Sequence, residues 1–156
     1  MPKSHSYTAT VEWTGNKGSG TEGYRDYARS HDIVIEEKRV IAGSSDAAFM
    51  GDAGKHNPED MLVASASACH MLWYLHLCSD NNIIVTAYRD CAVGDMDMNK
   101  NGSGQFSRIV LHPNVTVKDG CDIELATSLH EKAHKMCFIA RSLNFPVENK
   151  PEITSE

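Results

Sequence analysis

The segment NPEDMLVASASACHMLWYLHLC, from Asn57 to Cys78, constrains the fold more than any other. Asn57 is a good N-cap, Pro58 suits the first helical position, and Glu59 and Asp60 suit the positive end of the helix dipole. Beyond Asp60 the run is apolar on nearly all sides, which predicts a long helix buried in the protein. Ala64 to Ala68 are all small and would let another helix approach closely. Cys69 falls in the middle of this helix. A second helix, predicted from about Asp122 to Leu143, contains LHEKAHKMCFIARSL and holds Cys137. A free cysteine packs as a small apolar residue. Two of them, one in each long helix, are also suited to meet.

The rest of the chain reads as strands and turns. Tyr7 to Trp13 is a β-branched and aromatic strand, followed by the glycine-rich turn GNKGSGTEG. Ile33 to Ile41 is a second strand region with an exposed face. Ile83 to Val93 and Phe106 to Lys118 form a strand and its return, with Pro113 at a bulge or edge. A short final strand follows the second helix. The order predicts an α+β fold of antiparallel sheets with two long central helices, in a single domain over residues 1–156. The net charge of -6 and the lack of a basic block argue against nucleic acid as a partner. No apolar run reads as a bilayer span, so no membrane partner is expected, and the N-terminus lacks an apolar signal core. A cytoplasmic protein is therefore expected. The five cysteines are odd in number and form no CxxC pair, which does not describe an extracellular disulfide scaffold.

His130, Glu131 and His134 spell HEKAH, a zinc-protease pattern when a helix carries it in the right context. Here Lys132 and Lys135 surround it with positive charge and a third ligand is unclear. His130, His134 and Cys137 also lie along one helix face, a mixed nitrogen and sulfur set suited to zinc. The plainer reading makes both histidines polar residues at a helix edge, with no metal or other cofactor. Thiol chemistry is the other route. A thiolate attacks the weak O–O bond of a peroxide and becomes a sulfenic acid, which a second thiol turns into a disulfide. Cys69 lies too far into its helix for the N-terminus to activate it, so a side chain must do so. Arginine suits the task, and Arg25 and Arg29 in EGYRDYARSHD are the candidates.

Asn57-Pro58-Glu59 with the small-residue run ending Ser67-Ala68-Cys69 resembles the peroxidatic helix of the OsmC/Ohr family of organic hydroperoxide reductases. Ala133-His134-Lys135-Met136-Cys137 resembles that family's resolving-cysteine segment, and the resemblance extends from about Tyr7 to Val147. It implies an OsmC-like fold and an antioxidant thiol peroxidase without metal or bound cofactor. Cys69 would be peroxidatic and Cys137 resolving. The family's arginine matches Arg25 best, with Arg29 second, and its glutamate partner matches Glu59. The resemblance further implies a tightly intertwined homodimer, an organic hydroperoxide substrate and reduction by a dithiol such as a lipoylated protein. Two positions depart from the pattern. His70 follows Cys69 where an aromatic such as Phe is common, and Phe138 follows Cys137 where Pro is common.

Glu59 and Cys69 are separated by about 15 Å along one helix and point about 80° apart around it. One helix cannot bring both to the same peroxide, so Glu59 should serve the other chain of a two-fold dimer. Leu72, Trp73 and His76 share the Cys69 side of the helix, and with Met136 and Phe138 they are candidates for an apolar substrate pocket. Cys78, Cys91 and Cys121 read as structural or incidental. The alternatives to a peroxidase are a metal-binding protein using His130, His134 and Cys137, and a catalytically silent domain of the same fold.

Overall fold

Extended, β-branched sequence near the N-terminus forms a three-stranded antiparallel meander: β1 (Thr10–Trp13), β2 (His31–Val34) and β3 (Ile41–Gly43). The computed structural model describes residues 3–156. They form two compact units, divided after Met61. The meander belongs to the first. The strand expected over Ile33 to Ile41 is instead a hairpin. Glu37 takes a left-handed φ of 61°, and the Lys38 N–H closes the turn on the Ile35 carbonyl at 3.0 Å. Between β1 and β2 the glycine-rich loop folds back on the meander. Trp13 Nε1 donates to the Ala28 carbonyl at 2.8 Å, and the Ala28 N–H donates to the Gly15 carbonyl at 2.9 Å. A side chain at Gly15 would collide with the Ala28 carbonyl, so glycine is required there.

Helix α1 (Pro58–Asp80) starts where its signals place it. The Asn57 side chain accepts from the Asp60 N–H at 2.8 Å, satisfying one of the unpaired donors of the first turn. α1 has 23 residues and is long and apolar enough to cross a membrane. The expectation that no apolar run could do so fails on length and composition. A stripe at helical spacing, Ala66, His70, Tyr74, Leu77 and Cys78, is nevertheless buried as in a core helix. The expectation that α1 is buried all round also fails, since 28% of its most apolar stretch is buried and Leu72 is 63% exposed.

The second unit carries β4 (Val85–Asp90), β5 (Val93–Met98), β6 (Gly104–Leu111), β7 (Pro113–Val117), α2 (Ile123–Met136), β8 (Val147–Asn149) and β9 (Glu152–Ser155). They form two three-stranded sheets, ordered β4-β7-β9 and β5-β6-β8. Three runs of chain break at matching levels, at Cys91-Ala92, at His112 and at Lys150-Pro151, and each contributes one strand to each sheet. Pro113 opens β7, where a missing N–H is tolerated even though β7 is the central strand of its sheet. The expected purely antiparallel sheets are mixed. β8 runs parallel to β6 and β9 parallel to β7, because the chain returns through α2, the long crossover that parallel pairing needs.

α1 packs Tyr74, Leu77 and Cys78 against Val115 and Val117 of β7 and Ala126, Leu129 and Ala133 of α2. Ala66 packs against Ile109, Leu111 and Val147. α2 is capped by Asp122, whose side chain accepts from the Leu125 N–H at 2.9 Å. It ends at Met136, seven residues short of the expected Leu143. Cys137 turns extended, with ψ at 113°, and the chain resumes as a short 3-10 turn over Ala140–Ser142.

Candidate functional site

The ends of this geometry converge on two sulfurs. Cys69 is half-buried in mid-α1 and Cys137 is buried at the C-cap of α2. Their thiols are close neighbours. Burial pushes the Cys137 thiol up to about 11. The Ala140 N–H, donating to its Sγ at 3.4 Å, pulls the other way, while the neighbouring Cys69 thiol raises it further. Cys137 is therefore a protonated thiol at neutral pH, held against a more accessible one.

Apolar side chains stand nearby. The Trp73 ring meets Phe138 edge-on at 5.5 Å and His76 at 5.8 Å. Phe138, Leu72 and Met136 are exposed. His76 is also exposed and lies 3.5 Å from Asp80, so its polar edge faces solvent rather than an apolar pocket.

In the first unit the two candidate arginines differ. Arg25 is exposed. Arg29 is half-buried and built into its loop. Its guanidinium donates to the Tyr27 carbonyl at 2.7 Å and the Tyr24 carbonyl at 2.6 Å, and sits over both tyrosine rings at about 4 Å. Arg29 lines a cavity of about 380 Å³ with Trp13, Tyr27, Phe49, Pro58 and Glu59. The structure thus places Arg29 and Glu59 in the walls of one cavity, whereas Arg25, the first choice on sequence, is not among those walls.

The metal reading does not assemble. Among the described residues no three His, Cys, Asp or Glu side chains gather as a ligand set. His130 instead turns inward onto His70, with Nδ1 at 2.9 Å from His70 Nε2. Glu131, Lys132 and Lys135 are exposed, and His134 is half-buried. His70 and His130 are each 1% exposed and their rings stack at 5.2 Å. The Tyr74 ring stacks on His130 at 3.7 Å and its hydroxyl donates to the Ala126 carbonyl at 3.0 Å. Burial is the chief cause that lowers His70 to about 4, opposed by Asp90 and aided by His134. Burial, then His70, lowers His130 to about 3. Both rings are therefore neutral. On sequence His70 stands out only as a departure from the family pattern, and His130 reads as a residue at a helix edge. The available signal was that each falls on its helix's apolar stripe, between Ala66 and Tyr74 in α1 and between Ala126 and Ala133 in α2.

The family described as OsmC-like protein matches residues 51–152 of the chain. The uncharacterized protein YmaD of Bacillus subtilis is 24% identical over 149 residues, covering 92% of this chain and 90% of that protein. Among solved structures, an OsmC-like protein of unknown function from Vibrio cholerae is similar with a TM-score of 0.86 at 26% identity, covering 96% of this chain and all of that one (100%). An organic hydroperoxide resistance protein from Elizabethkingia anophelis has a TM-score of 0.71 at 19% identity, with both chains covered in full (100%).

Proposed function

Since the chain belongs to the OsmC-like protein family, we propose that it is a cysteine-based peroxidase that reduces organic hydroperoxides to alcohols. The observation that carries this reading is the placement of a half-buried Cys69 beside the buried, protonated thiol of Cys137. In the first step the Cys69 thiolate attacks the outer peroxide oxygen. An S–O bond forms, the O–O bond breaks, and the alkoxide takes a proton to leave as alcohol. In the second step the Cys137 sulfur attacks the Cys69 sulfenic acid. An S–S bond forms, the S–O bond breaks, and the departing oxygen leaves as water with the Cys137 proton. A dithiol, of the kind carried by lipoylated proteins, then returns two electrons by thiol–disulfide exchange.

Arg29 supplies the cation and Glu59 orients it, in the cavity they share. The separation of Glu59 from Cys69 along α1 supports a two-fold dimer in which the Arg29 and Glu59 of one protomer serve Cys69 of its partner. Exposed apolar residues of α1 support the same arrangement, since a helix of this composition is normally covered. Leu72, Trp73, Met136 and Phe138 favour a substrate with an alkyl or aryl group. The free thiols suit a reducing cytoplasm.

Cys69→Ser tests the reading. Turnover of cumene hydroperoxide with dihydrolipoamide should disappear while the circular dichroism spectrum is retained. Equal turnover in the variant and the parent would overturn the peroxidase reading and leave a silent domain of this fold.

A further inference from the structure

We infer that the His70–His130 pair is a positioning device for the thiol reaction, fixing how α1 is turned against α2 so that Cys69 stays where Cys137 attacks it. The inference rests on the peroxidase reading and goes beyond it.

His70 directly follows Cys69, about 100° further round α1. His130 precedes Cys137 by seven residues, about two turns, and so shares its face of α2. The same two segments are therefore tied by sulfur on sulfur, by imidazole on imidazole and by the Tyr74 hydroxyl on the Ala126 carbonyl. A single tie lets a helix roll about it. Two separated ties fix both roll and slide.

The sulfur tie is the weakest, because a thiol is a poor donor and acceptor. It is also lost during the reaction, when Cys69 acquires an oxygen. The imidazole tie is untouched by that chemistry. It lies in the buried interior, where unpairing either ring is unfavourable. His130 Nε2 has no partner among the described residues, so the 2.9 Å bond to His70 is that ring's one hydrogen bond to them. Tyr74, anchored through the Ala126 carbonyl, clamps the face of His130.

The step that depends on this alignment is disulfide closure, in which the Cys137 thiol and the Cys69 sulfenic acid give the disulfide and water. The test oxidises reduced, full-length protein with one equivalent of cumene hydroperoxide and stops the reaction at intervals. Mass spectrometry then counts Cys69 as sulfenic acid (trapped with dimedone), as disulfide with Cys137, or as sulfinic acid. In His70→Phe, His130→Leu and the double variant, sulfenic acid should form within about two-fold of the parent rate, while closure slows about ten-fold or more and sulfinic acid accumulates. His70→Gln, which keeps a donor and an acceptor, should recover most of the closure rate. A merely structural role would lower thermal stability without changing the partition between disulfide and sulfinic acid. If a single variant fails to fold, the double variant decides, because removing both polar partners leaves neither ring stranded. Parental closure rates in the folded double variant, with the disulfide present in the parent, would overturn this inference alone. Absence of the Cys69–Cys137 disulfide in the parent would overturn it together with the peroxidase reading.

Discussion

The two sulfurs differ in what they are free to do. Cys137 is sealed at the end of α2 with its proton held by burial, so it is a poor nucleophile toward a peroxide and suits attack on an electrophilic sulfur formed beside it. Cys69 is half-open. In the proposed reaction Cys137→Ser should still form the sulfenic acid but lose its resolution, and intact-mass measurement should show Cys69 moving on to sulfinic acid under excess peroxide. The arginines offer a sharper contrast. Arg29→Ala should lower kcat/KM by about 10²–10³-fold, as expected for a lost charged donor at a reacting oxygen. Arg25→Ala, on an exposed side chain, should stay within about two-fold of the parent in the same assay. The placement of Cys69 in α1 and Cys137 at the end of α2 was legible because helix signals and small residues surround them. The different surroundings of Arg25 and Arg29 were not, because they depend on how the loop folds back through Trp13, Gly15 and Ala28. The histidine pair was hidden because its partners are 60 residues apart and meet only in the tertiary structure.

At the scale of elements, the joint between α1 and α2 makes the fold sensitive to acid. His70 and His130 titrate near 6.5 when unfolded but at about 4 and about 3 when folded. The unfolded chain therefore binds more protons across that interval, and stability rises with pH through it. The contribution is complete above about pH 6.5 and is lost as pH falls toward 4 and then 3, an effect on the order of several kcal/mol. Urea denaturation from pH 7.5 to 4 should show the midpoint falling. The His70→Phe/His130→Leu variant should show a flatter profile, and an equally steep fall there would assign the acid sensitivity to other groups. The start of α1 was legible because Asn57, Pro58 and Glu59 state their roles locally. The end of α2 was not, since no glycine or proline marks Cys137, and its extended backbone goes with the Ala140 N–H bonding to its own sulfur. The parallel pairing of β8 and β9 was equally hidden. Strands of three and four residues carry little pattern, and their partners are set by the crossover through α2.

For the whole molecule, the fold class was readable as alternating strand and helix regions, while the splitting of three runs of chain between two sheets was not, because only tertiary packing decides where a strand bends. α1 holds the account together: it starts beside the Arg29 cavity, carries Cys69 at mid-length and leaves apolar side chains exposed. Light scattering at micromolar concentration should give twice the 17.2 kDa chain mass, and a fully active monomer would remove the proposed sharing of Arg29 and Glu59 between protomers. The most direct measurement of the central claim is a peptide map of the reduced protein after one equivalent of cumene hydroperoxide. The account predicts one dominant new crosslink joining the Cys69 and Cys137 peptides within a chain. Both peptides recovered as free thiols, or a crosslink through Cys78, Cys91 or Cys121 in its place, would contradict it.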